Sequence, residues 1–307
     1  MERRKTKIEI LSPVRNRKEI TLQCLCSLDR IEKNGLSIHR IIIDDGSTDG
    51  TSEAIREQFP DVEIIYGDGN LWCSGAANLG VGRALEYDPD YILLINDDTV
   101  FDSNFLQAMV ETAEQNEKSV VGGLLLNWDE PHKVFQVGPR WDTWYGGWRH
   151  FSQQTVWTLP EKPFEVELIV GNCTLFPATV FRTEGLFASR WLPHFGDAEF
   201  TPRLRRRGWR LLIEPRARVF NQPNTPPPRL SEMSLKDLYK ALWTNYNGDQ
   251  NLRNRFVCYW LGAPSRLKAV TAFLVFVTRL GLQGLGVLQR RTIDPNERPF
   301  TGLYSSN

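Results

Sequence analysis

Short apolar runs alternate with segments of helical spacing through residues 1–126. Residues 7–14, 39–43, 62–66, 91–95 and 119–126 read as strands. Between them, 17–29 sets Ile20, Leu22, Leu25 and Leu28 at helical spacing, and 51–59, 74–86 and 103–115 read as further helices. Tyr91-Ile92-Leu93-Leu94-Ile95 has no polar interruption, which is the pattern of a central strand covered on both faces. Strand and helix in turn predict an α/β fold: a mostly parallel central sheet, right-handed crossovers and helices on both faces.

The alternation weakens after residue 127. Residues 127–163, rich in Trp, Gly and Pro, predict a long ordered loop or a small antiparallel excursion. A strand over 165–170, a short helix over 178–182, a basic helix within 191–208 and strands over 209–214 and 218–220 follow. Four prolines in 221–229 predict a linker or surface strap, and the pattern from 231 onward is helical. The chain therefore divides into an α/β domain over 1–221, with halves 1–126 and 127–221, a Pro-rich linker at 222–230, and a helical extension over 231–307.

Charge narrows the partners. Lys plus Arg and Asp plus Glu number 37 each, so no overall field favours nucleic acid. Five scattered cysteines form no Cys-x-x-Cys pair, against a zinc site or disulfide framework. Met1-Glu2-Arg3-Arg4-Lys5 leads into a strand without an apolar leader, and with reduced thiols this predicts a cytoplasmic protein. Residues 269–288 form an apolar stretch long enough to span a bilayer, broken by Thr271, Thr278, Arg279 and Gln283. The arginine makes spanning costly, and the flanking Arg266, Lys268, Arg290 and Arg291 suit a peripheral helix on anionic lipid at the inner membrane face. A packed tail or dimer contact is the plainer alternative. The oligomeric state is open.

Several clusters carry candidate chemistry. Asn96-Asp97-Asp98-Thr99 follows the central strand, where ligands of open α/β sheets gather; two acids there suit a hard divalent cation, or a helix cap. Asp44-Asp45-Gly46-Ser47 suits a base or ribose hydroxyl, and equally an Asx turn. Residues 67–80, with Asn70, Gly75 and Asn78, suit close approach of a helix N-terminus to a ligand, or tight helix–sheet packing. In His194-Phe195-Gly196-Asp197-Ala198-Glu199-Phe200 one acid could serve as general base, Asp197 first, Glu199 second and His194 third. The basic run 203–218 suits a pyrophosphate, an anionic surface or a solvated helix face. The tryptophans between 128 and 157 suit sugar stacking or a core.

In this order the pieces resemble glycosyltransferase family 2, of the GT-A fold, over about residues 7–221. The matching motifs are Pro13-Val14-Arg15-Asn16-Arg17, Ile43-Asp44-Asp45-Gly46-Ser47-Thr48-Asp49-Gly50-Thr51, Asn70-Leu71-Trp72 with Gly75-Ala76-Ala77-Asn78, Leu94-Ile95-Asn96-Asp97-Asp98-Thr99, and Pro193 to Phe200 with Arg203 and Gly208-Trp209. The resemblance implies a nucleotide-binding half over 1–126 and an acceptor half over 127–221. It implies that Pro13, Val14, Arg15 and Asp45 line the nucleotide pocket and that Asn70 and Asn78 lie beside the donor. Asp98, with Asp97 beside it, would hold Mg2+ or Mn2+ against the diphosphate, and Asp197 would be the base of an inverting transfer. The donor would be a dTDP or UDP sugar, with rhamnose suggested by rhamnosyltransferase-like members, and the acceptor a saccharide or lipid-linked glycan of the cell surface. Two departures stand out: Asn96 replaces the motif's first acid, and Asn221 stands where many relatives place a metal-ligating histidine. A nucleotidyltransferase is the alternative enzyme, although 12–17 lacks the glycines such a loop carries. A non-catalytic sugar-nucleotide binder is the other, although it would have no need to retain both Asp98 and Asp197.

Overall fold

A computed structural model describes residues 4–150, 154–222, 230–245, 250–285 and 287. Nearly all of the proline-rich 222–230 stretch, and Arg290 and Arg291, lie outside the described residues. Strands β1 (Thr6–Val14), β2 (Leu36–Asp44), β3 (Glu63–Tyr66) and β4 (Tyr91–Ile95) pair in parallel, in the order β3-β2-β1-β4. Helices α1 (Lys18–Asp29), α2 (Thr51–Gln58) and α3 (Trp72–Leu85) connect them. The unbroken apolar run of β4 is explained by its two coats. Leu93 and Ile95 join one core with Leu25 and Leu28 of α1, while Ile92 and Leu94 join another with Ala76 and Val81 of α3. The small residues of α3 serve that packing: a Cβ on Gly80 would lie 2.6 Å from Ile43 Cδ1.

After β4 come β5 (Thr99–Phe101), α4 (Phe105–Gln115) and β6 (Ser119–Asn127). The Trp-rich stretch is an antiparallel excursion: β7 (Val134–Gln136) lies against β6, and β8 (Arg140–Asp142) pairs with β9 (Gly147–Arg149) as a separate hairpin. Then follow β10 (Phe164–Glu165), β11 (Cys173–Pro177), α5 (Ala178–Glu184), α6 (Asp197–Arg206) and β12 (Arg210–Asn221). The sheet continues β4-β11-β6-β12-β10, with β11 antiparallel to both neighbours and β12 parallel to β6.

Two predictions need correction here. The strand expected over 165–170 is only the two-residue β10, and the real strand is β11, eight residues further on. Ile169 instead lies across the sheet face, where a Cβ on Gly122 would meet its Cγ2 at 2.7 Å; apolar residues there cover the sheet rather than extend it. The two late strands are one, β12, with an irregularity between Glu214 and Arg218 that accommodates Pro215.

The described extension holds α7 (Leu235–Tyr239), α8 (Leu252–Gly262) and α9 (Arg266–Gly284). Cys258, Tyr259 and Ala263 of the α8 region and Ala269 and Ala272 of α9 form a small core with Trp148, Leu168 and Leu192. Trp141 and Trp148 belong to that packing, edge-on to one another, whereas Trp144 and Trp157 are exposed. Much of the basic run, though exposed, is paired within the protein. Arg206 donates to the carbonyls of Leu261 and Gly262, closing the end of α8, while Arg207 pairs with Glu184 and Arg210 with Glu165.

Candidate active site

The carboxyl ends of β1, β2 and β4 lie side by side, so the loops that follow them share one edge of the sheet. Asp45 is buried directly after β2. Its Oδ1 accepts Gly69 N–H at 2.9 Å, and its Oδ2 accepts Leu71 and Trp72 N–H at 3.0 and 3.1 Å. Gly67 allows this closeness, since a Cβ there would lie 2.5 Å from Asp45 Oδ1. Asp45 thus fixes the loop before α3. Arg15 closes the same loop by donating to Gly69 O at 2.5 Å. Pro13 and Val14 end β1 beside Ile43 and Asp44, and Val14 O accepts Asp45 N–H at 3.0 Å. Asp44 makes the Asx turn, accepting Ser47 N–H at 2.7 Å.

Arg17, at the start of α1, spans the acid pair that follows β4. Its Nη1 lies 2.9 Å from Asp97 Oδ1 and its Nη2 lies 2.8 Å from Asp98 Oδ2. Thr21 adds a hydroxyl to Asp97 Oδ2 at 3.2 Å. Burial first of all pushes Asp97 up to about 6; Arg17 opposes this and Asp98 adds to it. Burial lowers Arg17, but the two carboxylates outweigh it and hold the guanidinium above its ordinary value. The other oxygen of Asp98, Oδ1, is buried with no hydrogen-bond partner among the described residues. Asn221 is buried opposite Thr99 across the β12–β5 pair, and both polar atoms of its side chain are likewise unpartnered. Unpaired buried oxygens beside two acids suit a hard cation, which takes carboxylate and amide oxygens. Among the described residues no cluster of three His, Cys, Asp or Glu side chains is assembled, so an amide or substrate oxygen would complete such a site.

Asp197 reaches the same edge from a distant part of the sequence. Asn96 N–H donates to Asn172 O at 3.0 Å, because β11 pairs with β4 and ends the Gly171-Asn172 turn there. Gly171 N–H in turn donates to Asp197 Oδ2 at 3.0 Å. Burial raises the Asp197 carboxyl, against the lowering by backbone N–H groups. Between the acids sits Cys73, whose thiol is pushed up to about 11 by burial first, then by the charges of Asp197 and Asp97. Ser74 N–H donates to Pro193 O at 2.9 Å, tying α3 to the segment that enters α6.

The alternatives to Asp197 separate by partner. Glu199 is buried and held by Arg203 Nε at 2.6 Å, a helical i,i+4 pair. Among the described residues no cation pairs with Asp197. His194 lies edge-on to Trp72, 4.9 Å between centroids, and 3.5 Å from Cys73 Sγ. Trp72 opens α3 at φ 56°, a left-handed conformation uncommon for an aromatic residue, with its indole partly exposed.

Asn78 is engaged within the protein. Its Nδ2 donates to Phe187 O at 2.9 Å and Ser189 Oγ at 3.1 Å, and its Oδ1 accepts Phe187 N–H at 3.0 Å. That amide holds the 187–189 loop. Asn70 is exposed, and its Nδ2 makes only a long bond of 3.4 Å to Asp68 O. The sequence reading missed Arg17 as the partner of the acid pair; its one signal was a cation closing the loop after β1. A cavity of about 410 Å³ lined by Arg4, Asp90, Glu114 and Arg182 lies at the opposite, amino-terminal ends of β1 and β4, away from these acids.

The model of the family described as Glycosyl transferase family 2 matches residues 9–166. A Mycobacterium tuberculosis protein named N-acetylglucosaminyl-diphospho-decaprenol L-rhamnosyltransferase is 23% identical over 217 residues, 64% of this chain and 70% of that protein. A Streptococcus pneumoniae protein named Glycosyltransferase GlyG is 24% identical over 126 residues, 40% of each chain. Among solved structures, GalNAc-T7 with UDP, GalNAc and Mn2+ superposes with a TM-score of 0.58 at 14% identity, covering 89% of this chain. This chain spans about half of that protein, 54%. Residues 1–349 of S. aureus TarS in complex with UDP superpose with a TM-score of 0.54 at 12% identity, covering 89% of this chain and 71% of that one. At such identities the likeness is one of fold, and the fold is GT-A.

Proposed function

The chain belongs to glycosyl transferase family 2, and from that premise we propose a divalent-cation-assisted, inverting transfer of a sugar from a nucleoside diphosphate to an acceptor hydroxyl. The observation that carries this reading is the meeting of Asp97, Asp98 and Asp197 at one sheet edge, with Asp98 Oδ1 buried and unpartnered. The family name supports sugar transfer from a nucleotide donor. The name of the mycobacterial relative supports rhamnose as the sugar, hence a dTDP or UDP donor, and a lipid diphosphate-linked saccharide as acceptor.

Residues suited to the cation are Asp98 and Asp97, with Asn221, in register with Thr99, as a candidate third oxygen donor. When bound, the cation would offset charge gathering on the departing diphosphate. The rest falls to the chain. The loop of 67–72, held by Asp45 and Arg15, presents backbone and the Asn70 amide to the donor. Asp197 takes the proton of the acceptor hydroxyl as its oxygen attacks the anomeric carbon opposite the leaving nucleotide. Burial suits Asp197 to this: a raised pKa makes it a better proton acceptor, and Gly171 N–H fixes its Oδ2. The C1–O bond to the diphosphate breaks as the new glycosidic bond forms, through a transition state with oxocarbenium character.

The test is thermal shift and nucleotide release across dTDP-rhamnose and UDP sugars, with Mn2+ or Mg2+. A true donor raises the melting temperature only with the cation present. Equal stabilisation by a nucleoside triphosphate, with pyrophosphate release, would favour the nucleotidyltransferase reading instead.

A further inference from the structure

Helix α9 is apolar on both sides but covered on one. Ala269 and Ala272 are buried and Phe276 lies against Gly146 of the β8–β9 turn. Leu267, Val270, Leu274, Val277 and Leu285 all face outward, with Leu267 and Leu285 each 78% exposed and Leu274 61%. At 3.6 residues per turn these five fall within about 80° of one another, on the side away from the buried alanines. A soluble helix places charge there. Among the described residues α9 is the helix long and apolar enough to cross a membrane.

Charge names the occupant. From Asn251 to Ile293 the sequence holds Arg253, Arg255, Arg266, Lys268, Arg279, Arg290 and Arg291 and not one acid, in a chain whose charges balance at 37 each overall. Arg266 and Lys268 are exposed in the first turn of α9, where the helix dipole disfavours cations, and neither forms an ion pair among the described residues. Tyr239 and Trp243, on the segment before α8, are also exposed, and such rings suit the headgroup level.

We propose that α9 lies in the plane of an anionic lipid surface, with its Leu267–Leu274–Leu285 stripe among the acyl chains and its cations at the phosphates. Arg279 is turned to the protein, donating to Tyr145 O and lying over the Tyr145 ring at 4.2 Å, so the helix enters by one face and does not span. Docking also places the cleft near lipid. α9 packs on α8, and α8 packs on α6, where the Ala198 carbonyl nearly touches Gly262.

Full-length protein is floated with phosphatidylcholine vesicles, with and without phosphatidylglycerol. Anionic vesicles should carry about tenfold or more of the protein that neutral ones do, and high salt should remove the difference. Leu267→Asp with Leu274→Asp should lower flotation about tenfold without moving the melting temperature. Arg266→Glu with Lys268→Glu, which leaves the stripe intact, should abolish the preference for anionic lipid. Equal flotation of wild type and both variants overturns the proposal. So does a wild-type dimer that the stripe variant splits and that never floats, which would make a second copy the occupant. Membrane-bound protein that resists carbonate extraction overturns the in-plane arrangement.

Discussion

The edge of the sheet after β4 and the outer face of α9 break the ordinary distribution of residues in opposite directions. At the first, charge is inside: Asp45, Asp97 and Glu199 are all buried. At the second, oil is outside. Buried polar groups and contiguous exposed apolar ones are the informative exceptions in a folded protein. The two are stabilised differently. Each buried acid has a specified partner: loop amides for Asp45, Arg17 and Thr21 for Asp97, Arg203 for Glu199. The α9 face has none among the described residues. Buried charge with partners selects one geometry, which chemistry needs; bare apolar surface needs only a slippery, non-directional partner.

That contrast can be broken most sharply at the acids. Asp197→Asn should lower turnover about thousandfold while donor affinity by calorimetry stays within about twofold. Full activity in this variant would move the base elsewhere, and Glu199 would have to leave Arg203 to take it. Asp98→Ala should remove Mn2+-dependent donor binding altogether, read in the same titration. Arg17→Ala sharpens the electrostatic half of the comparison. It leaves two carboxylates facing one another, at a cost of about 1–3 kcal/mol after allowing for the exposure of Arg17. Added Mn2+ should recover more of the variant's melting temperature than of the wild type's, since a cation would supply the missing positive charge. If Mn2+ shifts both equally, Arg17 and the cation do not share partners.

Asn78→Ala should cost about 1–3 kcal/mol in urea unfolding by releasing the 187–189 loop, with donor affinity unchanged. pH offers a smaller lever. The folded pKa of Asp97, about 6, lies above its ordinary 3.8, so the fold holds a proton that the unfolded chain releases between these values. The contribution of Asp97 to stability is therefore fullest at the acid end of that window and is lost as pH rises through about 6. Mn2+ affinity runs the other way, falling as pH drops through about 6. Asp97→Asn should flatten the first profile. Smallest of all, Leu274→Asp in the absence of lipid should change stability by less than about 0.5 kcal/mol, because most of the side chain already faces solvent. A larger loss would mean that the face is covered in solution.

How legible all this was in sequence depends on range. β1 through α4 could be read because each element's periodicity is set by its own coats, and Asp97-Asp98 follow β4 without an intervening turn. β5 could not, since three residues carry no period. Residues 166–170 misled because an apolar segment lying across a sheet has the same composition as a strand within it. The choice between Asp197 and Glu199 was present in the spacing: Arg203 stands four residues after Glu199 on one helix. The pairing of Arg17 with Asp97 and Asp98 was not, because eighty residues separate them and only the parallel register of β1 with β4 brings them together. The loop partners of Asn78 were hidden for the same reason, being more than a hundred residues away.

The reversal of β11 has a consequence for how this molecule can be altered. Because that strand runs against β4, the turn that begins it arrives beside Asn96 and supplies the amide that orients Asp197. The excursion of 127–172 is thus anchored at both ends next to the cleft, by β6 and by β11, while β1 to β3 pair with neither. Under the proposed transfer, substitutions between β7 and β10 are the ones expected to retune the acceptor, provided Ile169 and Gly171 are kept to cover the sheet and hold Asp197.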